Sequence, residues 1–284
     1  MLKQRIVTAV ALLLGLLALL FSGSAPLFLL FVLLAFVVSA LEWLRLCEVE
    51  GALARWACVV GLLVAMLVSL VWVPAVDGSL WRAGVAVSPP LLQFAMPVAA
   101  GFWLSAFALV ITYPRWQLHA DNKIIRLLIG SALLWFAWLS IVYLRGEPEG
   151  PLLLLYVISV VAASDVGAYF SGKAFGRRKL APAASPGKSW EGFAGGCLAA
   201  VLVAIGAQQL GPFSIYPATL FVLVGLVLAL ASVVGDLFES VVKREARVKD
   251  SGTLLPGHGG VLDRVDGLVA ALPVFVCVHL LLGW

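Results

Sequence analysis

The sequence predicts an all-α, polytopic integral membrane protein with about nine transmembrane helices and a cytoplasmic N-terminus. Three observations carry this. First, charged residues are only 12% of the 284 and hydrophobic ones 63%, with a mean hydropathy of +1.08, whereas soluble domains run at about 25% charged. Second, the apolar residues fall into runs of membrane-crossing length, about 20 residues each. Third, with the N-terminus inside and the spans alternating, cytoplasmic segments and the adjoining helix ends hold 17 of the 19 lysines and arginines. Only Arg82 and Arg145 fall outside. That asymmetry is what the positive-inside rule requires, and a miscount of one span would destroy it.

The spans follow in order. Ile6–Phe21 and Pro26–Trp43 form a hairpin around a Ser/Gly turn. Lys3, Arg5 and the small residues Ser22–Ala25 imitate a cleavable leader. A second apolar run starts at once at Pro26, so the first is read as an uncleaved helix. A polar segment, Glu42–Arg55, precedes the third span, Trp56–Val76. A loop with Asp77, Arg82, Pro89 and Pro90 leads to the fourth, Leu91–Ile111. The polar segment Thr112–Lys123 leads to the fifth, Ile124–Leu144. After a turn come the sixth, Pro151–Phe170, and a basic loop, Ser171–Glu191. The seventh (Gly192–Leu210) and eighth (Tyr216–Gly235) precede a long polar stretch, and the ninth, Leu268–Trp284, ends the chain. Residues 1–150 are N-terminal and middle spans. Residues 151–284 are the C-terminal spans, with two cytoplasmic polar loops at 171–191 and 236–266. The cysteines (Cys47, Cys58, Cys197, Cys277) are scattered and read as helix-packing residues.

The polar stretch Gly235–Gly267 holds six of the fifteen acidic residues, five of the basic ones and one of three histidines, between almost purely apolar flanks. Charge is expensive there and needs a reason. If Ser232–Arg247 is helical, Asp236, Ser240, Lys243 and Arg247 share a face, with Glu239 one turn from Asp236 and Lys243. Four glycines (252, 257, 259, 260) lie within nine residues, so backbone N–H groups can approach an anionic ligand. His258 stands between two of them. Asp263 and Asp266 lie three apart at a helix start, flanking Arg264. Hard oxygen ligands from Asp236, Asp263 and Asp266 suit Mg²⁺, and lysine and arginine suit phosphates.

A second constellation spans Ser164–Gly192. Asp165 lies just inside the sixth span, where an unpaired aspartate would cost roughly 2.5–3.5 kcal/mol at mid-membrane. It is either a satisfied interhelical group or a ligand contact. Gly167, Gly172 and Gly176 permit close helix packing or ligand approach. Arg177, Arg178 and Lys179 serve as topology determinants or phosphate contacts. Ser185–Ser189 (SPGKS) looks like a short phosphate loop. It lacks the GxxxxGK[ST] spacing between strand and helix, which excludes a P-loop ATPase.

The run SxxKRxxxxKDxGxxxPGHGGxxDRxD, Ser240–Asp266, resembles the signature of the phosphatidate cytidylyltransferase (CDP-diacylglycerol synthase) family. SDxGAYxxGxxFG…KLxPxxSPxKxWEG, Ser164–Gly192, is similar to its other polar loop. Together they cover about 60 residues, with no departure at a signature acid, lysine, histidine or glycine. The resemblance implies a membrane enzyme joining CTP to phosphatidic acid, with release of pyrophosphate. It implies Mg²⁺, room for a second cation such as K⁺, and a homodimer; no nucleic acid is expected. By motif position, Asp236 and Asp263 would be metal carboxylates supported by Asp266, and Lys243 and His258 complete the catalytic set. Arg244 and Lys249 would handle phosphates. Asp165, Lys179, Ser185 and Lys188 would contact nucleotide or phosphatidate, and Asp250, Gly259, Gly260 and Arg264 belong to the same binding set.

Three other readings stand beside it. A CTP-dependent lipid kinase would make CDP rather than pyrophosphate. A CDP-alcohol phosphatidyltransferase would need a DGxxAR motif that is absent. A transporter would place its acids near the membrane midplane rather than at one surface.

Overall fold

A computed structural model describes residues 14–22, 24–71, 89–115, 122–147, 149–209, 211–254 and 259–283. The apolar runs become helices, as they must where lipid offers the backbone no hydrogen-bond partners. These are α1 (residues 14–21), α2 (Ala25–Leu46), α3 (Ala52–Val71), α4 (Pro89–Thr112), α5 (Lys123–Gly146), α6 (Gly150–Phe175), α7 (Trp190–Gln209), α8 (Ala218–Glu245) and α9 (Leu262–Leu282). Among the described residues, α2–α9 are eight helices long and apolar enough to cross a membrane. Of the expected first span, residues 6–13 lie outside the described residues, as do Arg82 and the end of the third span.

At the polar end α6 outruns its expected span, while α8 continues as helix through Lys243 and α9 starts beside Asp263, as the spacing of those residues suggests. α6 runs on to Phe175, α8 to Glu245, and α9 begins at Leu262. Helix continues past the apolar run wherever its polar side chains find partners. The basic loop is not irregular. β1 (Lys179–Ala181) and β2 (Ser185–Ser189) form an antiparallel hairpin, pairing Lys179 with Ser189 and Ala181 with Ser185. Arg247 has left the helix, at φ 58°, so it does not share the face of Asp236, Ser240 and Lys243.

Two glycine-lined crossings set the architecture. α6 and α7 meet backbone to backbone. A Cβ on Gly167 would strike the Gly195 carbonyl, and one on Gly196 the Ser164 carbonyl. α8 and α9 meet where a Cβ on Gly235 would strike the Asp266 carbonyl and one on Gly267 the Ser232 hydroxyl. Small residues are what allow helices to approach this closely. Phe221, Leu228, Phe238 and Phe275 fill the core between α8, α9 and their neighbours and are fully buried. At the edge, the Trp43 indole of α2 donates to the Arg126 carbonyl of α5 at 2.9 Å, and Trp138 donates to the Met66 carbonyl of α3 at 3.1 Å.

The basic segments gather at one end of the bundle. Lys123 reaches the Glu48 carboxylate at 3.5 Å, and Arg244 donates to the Ala184 carbonyl at 3.1 Å. Glu42 reaches the loop before α9. This is the same-side grouping that the charge alternation demands.

Candidate active site

At that end, α6, β2, α8 and the start of α9 enclose a cavity of about 600 Å³. α6 contributes Asp165, Tyr169, Gly172 and Lys173; β2 contributes Lys188 and Ser189; α8 contributes Asp236 and Lys243. Asp250, Asp263, Arg264 and Asp266 close the ring. A volume of this size suits a small-molecule ligand. Eight of the sequence-predicted residues thus meet: Asp165, Lys188, Asp236, Lys243, Asp250, Asp263, Arg264 and Asp266.

The glycine crossings explain why. Gly235 precedes Asp236, and Gly267 follows Asp266. The contact that brings α8 onto α9 therefore forces these two carboxylates together, close enough to act on one another electrostatically. Asp165 joins them from α6 and is likewise within reach of Asp236 and Lys188.

The acids are matched by the protein's own cations. Lys188 Nζ lies 2.6 Å from Asp236 Oδ2. Lys243 Nζ is shared between Glu239 Oε2 at 2.9 Å and Asp263 Oδ1 at 2.8 Å. Ser240 Oγ donates to the other Asp236 oxygen at 3.4 Å. Asp263 also accepts the Ser251 N–H at 3.0 Å and the Gly260 N–H at 2.8 Å. Gly259 sits at φ 88°, and a Cβ there would press on the Asp263 carboxylate. So the anion that these loop groups hold is Asp263 itself.

Those of the remaining predicted residues that are described lie beside the cavity rather than on it. Lys179 and Ser185 belong to the paired strands. Arg244 braces the hairpin through Ala184, and Lys249 is exposed. Gly259 and Gly260 act through the loop backbone. His258 lies outside the described residues.

Three participants, Lys173, Tyr169 and Glu42, were not singled out from the sequence, and a fourth, Glu239, was noted there only for its spacing. Lys173 and Tyr169 line the cavity, with the Lys173 ammonium over the Tyr169 ring at 5.9 Å. Their signal is spacing: positions 165, 169, 172 and 173 share a face of α6. Glu239 is buried behind Lys243 and close to the Asp266 carboxyl. Glu42 is buried at the end of α2.

Among the described residues, no three acidic, histidine or cysteine side chains are already converged as a metal site. The donor chemistry nevertheless suits a hard cation. The acids facing the cavity are all carboxylates, crowded enough to repel, and an ammonium already stands against Asp236 and another against Asp263.

The sequence matches the cytidylyltransferase family over residues 3–282. It is 40% identical to the phosphatidate cytidylyltransferase of Pseudomonas aeruginosa, over 100% of this chain and 99% of that one. It is 38% identical to the phosphatidate cytidylyltransferase of Haemophilus influenzae, over 97% of each chain. To the phosphatidate cytidylyltransferase of Brucella suis it is 49% identical over 141 residues, 48% of this chain and 50% of that one. A full-length match of this kind, on a bundle whose charged residues converge on one cavity, means that the chain belongs to the cytidylyltransferase family.

Proposed function

We propose that this chain transfers the cytidylyl group of CTP to phosphatidic acid, giving CDP-diacylglycerol and pyrophosphate in phospholipid biosynthesis. The observation that carries this is the cavity itself. Four cations (Lys173, Lys188, Lys243, Arg264) and five aspartates share one pocket at the end of an apolar bundle, where a polyanionic nucleotide and a membrane lipid can both reach. The full-length likeness to two phosphatidate cytidylyltransferases supports it.

A phosphatidate oxygen attacks the α-phosphorus of CTP. The bond from that phosphorus to the α,β-bridging oxygen breaks, and pyrophosphate leaves with the electron pair. A phosphate monoester is largely ionised at pH 7, so no strong general base is needed. The obstacle is repulsion between two anions, which positioned cations relieve.

Lys188 turns from Asp236 to a nucleotide phosphate, and Arg264 presents a planar fork to phosphate oxygens. Lys243, fixed between Glu239 and Asp263, holds its charge towards the pocket. Lys173 stands over the exposed Tyr169 ring on α6 and receives the lipid phosphate. By motif position, Arg244, Lys249 and His258 belong to the phosphate-handling set. Asp236 and Asp263, with Asp266 beside them, would hold Mg²⁺, with a second cation such as K⁺ nearby. The bound metal would neutralise the CTP phosphates and stabilise the leaving group. The site faces the cytoplasm, and the enzyme works as a homodimer.

The test is pyrophosphate release by the purified protein with Mg²⁺, CTP and phosphatidic acid, omitting each in turn. Release that needs all three, with cytidine label entering lipid, is expected. CDP in place of pyrophosphate would transfer the assignment to a lipid kinase.

A further inference from the structure

Glu42 lies far from both polar motifs in sequence, yet its side chain is built into the site. It is 3% exposed, and a buried carboxylate at the end of an apolar helix is costly unless it is fully hydrogen-bonded. Its partners among the described residues come from the loop before α9 and the first residues of that helix. Glu42 Oε2 accepts the Leu262 N–H at 2.7 Å and the Ser251 hydroxyl at 3.2 Å. Oε1 accepts the Val261 N–H at 3.1 Å. The first N–H groups of a helix have no partner within it, and α9 receives no side-chain cap from its own N-cap residue, Val261. The cap comes instead from another helix, with the charge that suits the positive end of the helix dipole. Gly252 and Gly260 close over the same carboxylate. A Cβ on either would overlap it.

We propose that Glu42 is a positioning residue of the transferase. It clasps Ser251, Val261 and Leu262 from α2, so that Asp263 and Lys243 are held in register. This rests on the transferase reading above. The link is short and continuous. The Ser251 hydroxyl bonds Glu42, its N–H bonds Asp263, and Asp263 bonds Lys243. The Gly260 N–H, beside the Glu42-bound Val261, completes the cradle of Asp263. The clasp is stiff because the next residue, Trp43, is itself anchored to α5.

The experiment uses the full-length protein with Glu42→Ala and Glu42→Gln, read by amide hydrogen exchange and by steady-state kinetics. Glu42→Ala should speed exchange at Ser251, Val261 and Leu262 while the α6–α7 crossing keeps its protection. The kcat should fall by about 10–100-fold, more than either KM changes, because groups that act in the transition state lose their placement. Glu42→Gln keeps the shape and one acceptor oxygen but not the charge, and should fall between wild type and alanine. If the alanine variant does not accumulate, the near-isosteric glutamine variant decides. Unchanged loop exchange with kcat within about twofold (under 0.5 kcal/mol) overturns the clasp, as does exchange that rises equally across the whole bundle. Faster loop exchange in a protein whose wild type makes no CDP-diacylglycerol would leave the clasp standing and remove the transferase reading.

Discussion

Lys188 on β2 and Asp236 on α8 meet at 2.6 Å, and that pair joins the hairpin to the helix bundle at the cavity wall. Both side chains keep partial solvent contact, at 25% and 34% exposure. An ion pair so placed is worth about 0–1 kcal/mol. Its position on the cavity therefore says more than its contribution to stability. Lys188→Ala should leave thermal stability within about 1 kcal/mol and lower kcat/KM for CTP by about 10–100-fold, the loss of one charge-assisted phosphate contact. Melting curves and CTP-dependent kinetics on the same preparation check both halves.

Asp263 lies at the opposite balance. Its side chain is 6% exposed and accepts from Lys243, Ser251 and Gly260. Removing one member of a buried pair costs about 3–5 kcal/mol, because Lys243 is left with Glu239 alone. Asp263→Ala should abolish turnover and lower the melting temperature, with the protein still inserted in the membrane. Near-normal activity would remove Asp263 from the mechanism. Asp263→Asn retains one acceptor oxygen and should recover stability more than activity.

Most of the fold is legible in the sequence because one constraint dominates it. Apolar runs of membrane length have few other ways to satisfy their backbone in lipid. The end of α6 is where the structure departs from the expected loop. Lys173 looks like a loop residue by polarity, but it faces the polar cavity and stays in helix. The hairpin was hidden because Pro186 and Gly187 read as loop. Extended backbone is held there by strand pairing, by Glu191 accepting the Arg177 and Arg178 N–H groups, and by Lys188 on Asp236. The convergence of Asp236, Asp263 and Asp266 was legible from glycine and acid spacing. Glu42 was not, because a lone acid at a helix end looks like an ordinary boundary charge, and its partner Ser251 is 209 residues away.

The α8–α9 crossing predicts a mutation that touches no charged group. Gly235→Val places a branched Cβ against the Asp266 carbonyl and the Ala270 methyl. Overpacking of this kind costs about 1–3 kcal/mol, relieved only by moving α9 and with it Asp263 and Asp266. Activity should fall by more than the stability loss accounts for. Gly206→Val, whose Cβ position meets nothing within 4 Å, is the matched control and should behave as wild type in both a thermal-shift and a turnover assay.

The charge alternation predicts which end faces which compartment. Arg177 and Glu149 are both exposed, near opposite ends of α6. Single cysteines there, in a background lacking Cys58, Cys197 and Cys277, should react with a membrane-impermeant maleimide from opposite sides. Cys47 can stay, because it is fully buried and burial pushes its thiol up to about 11, which leaves almost no reactive thiolate near pH 7. Arg177→Cys should label only in inside-out vesicles and Glu149→Cys only in right-side-out ones. The reverse pattern would put the cavity on the far side of the membrane from cytoplasmic CTP. Labelling of both from one side would break the alternation on which the orientation rests.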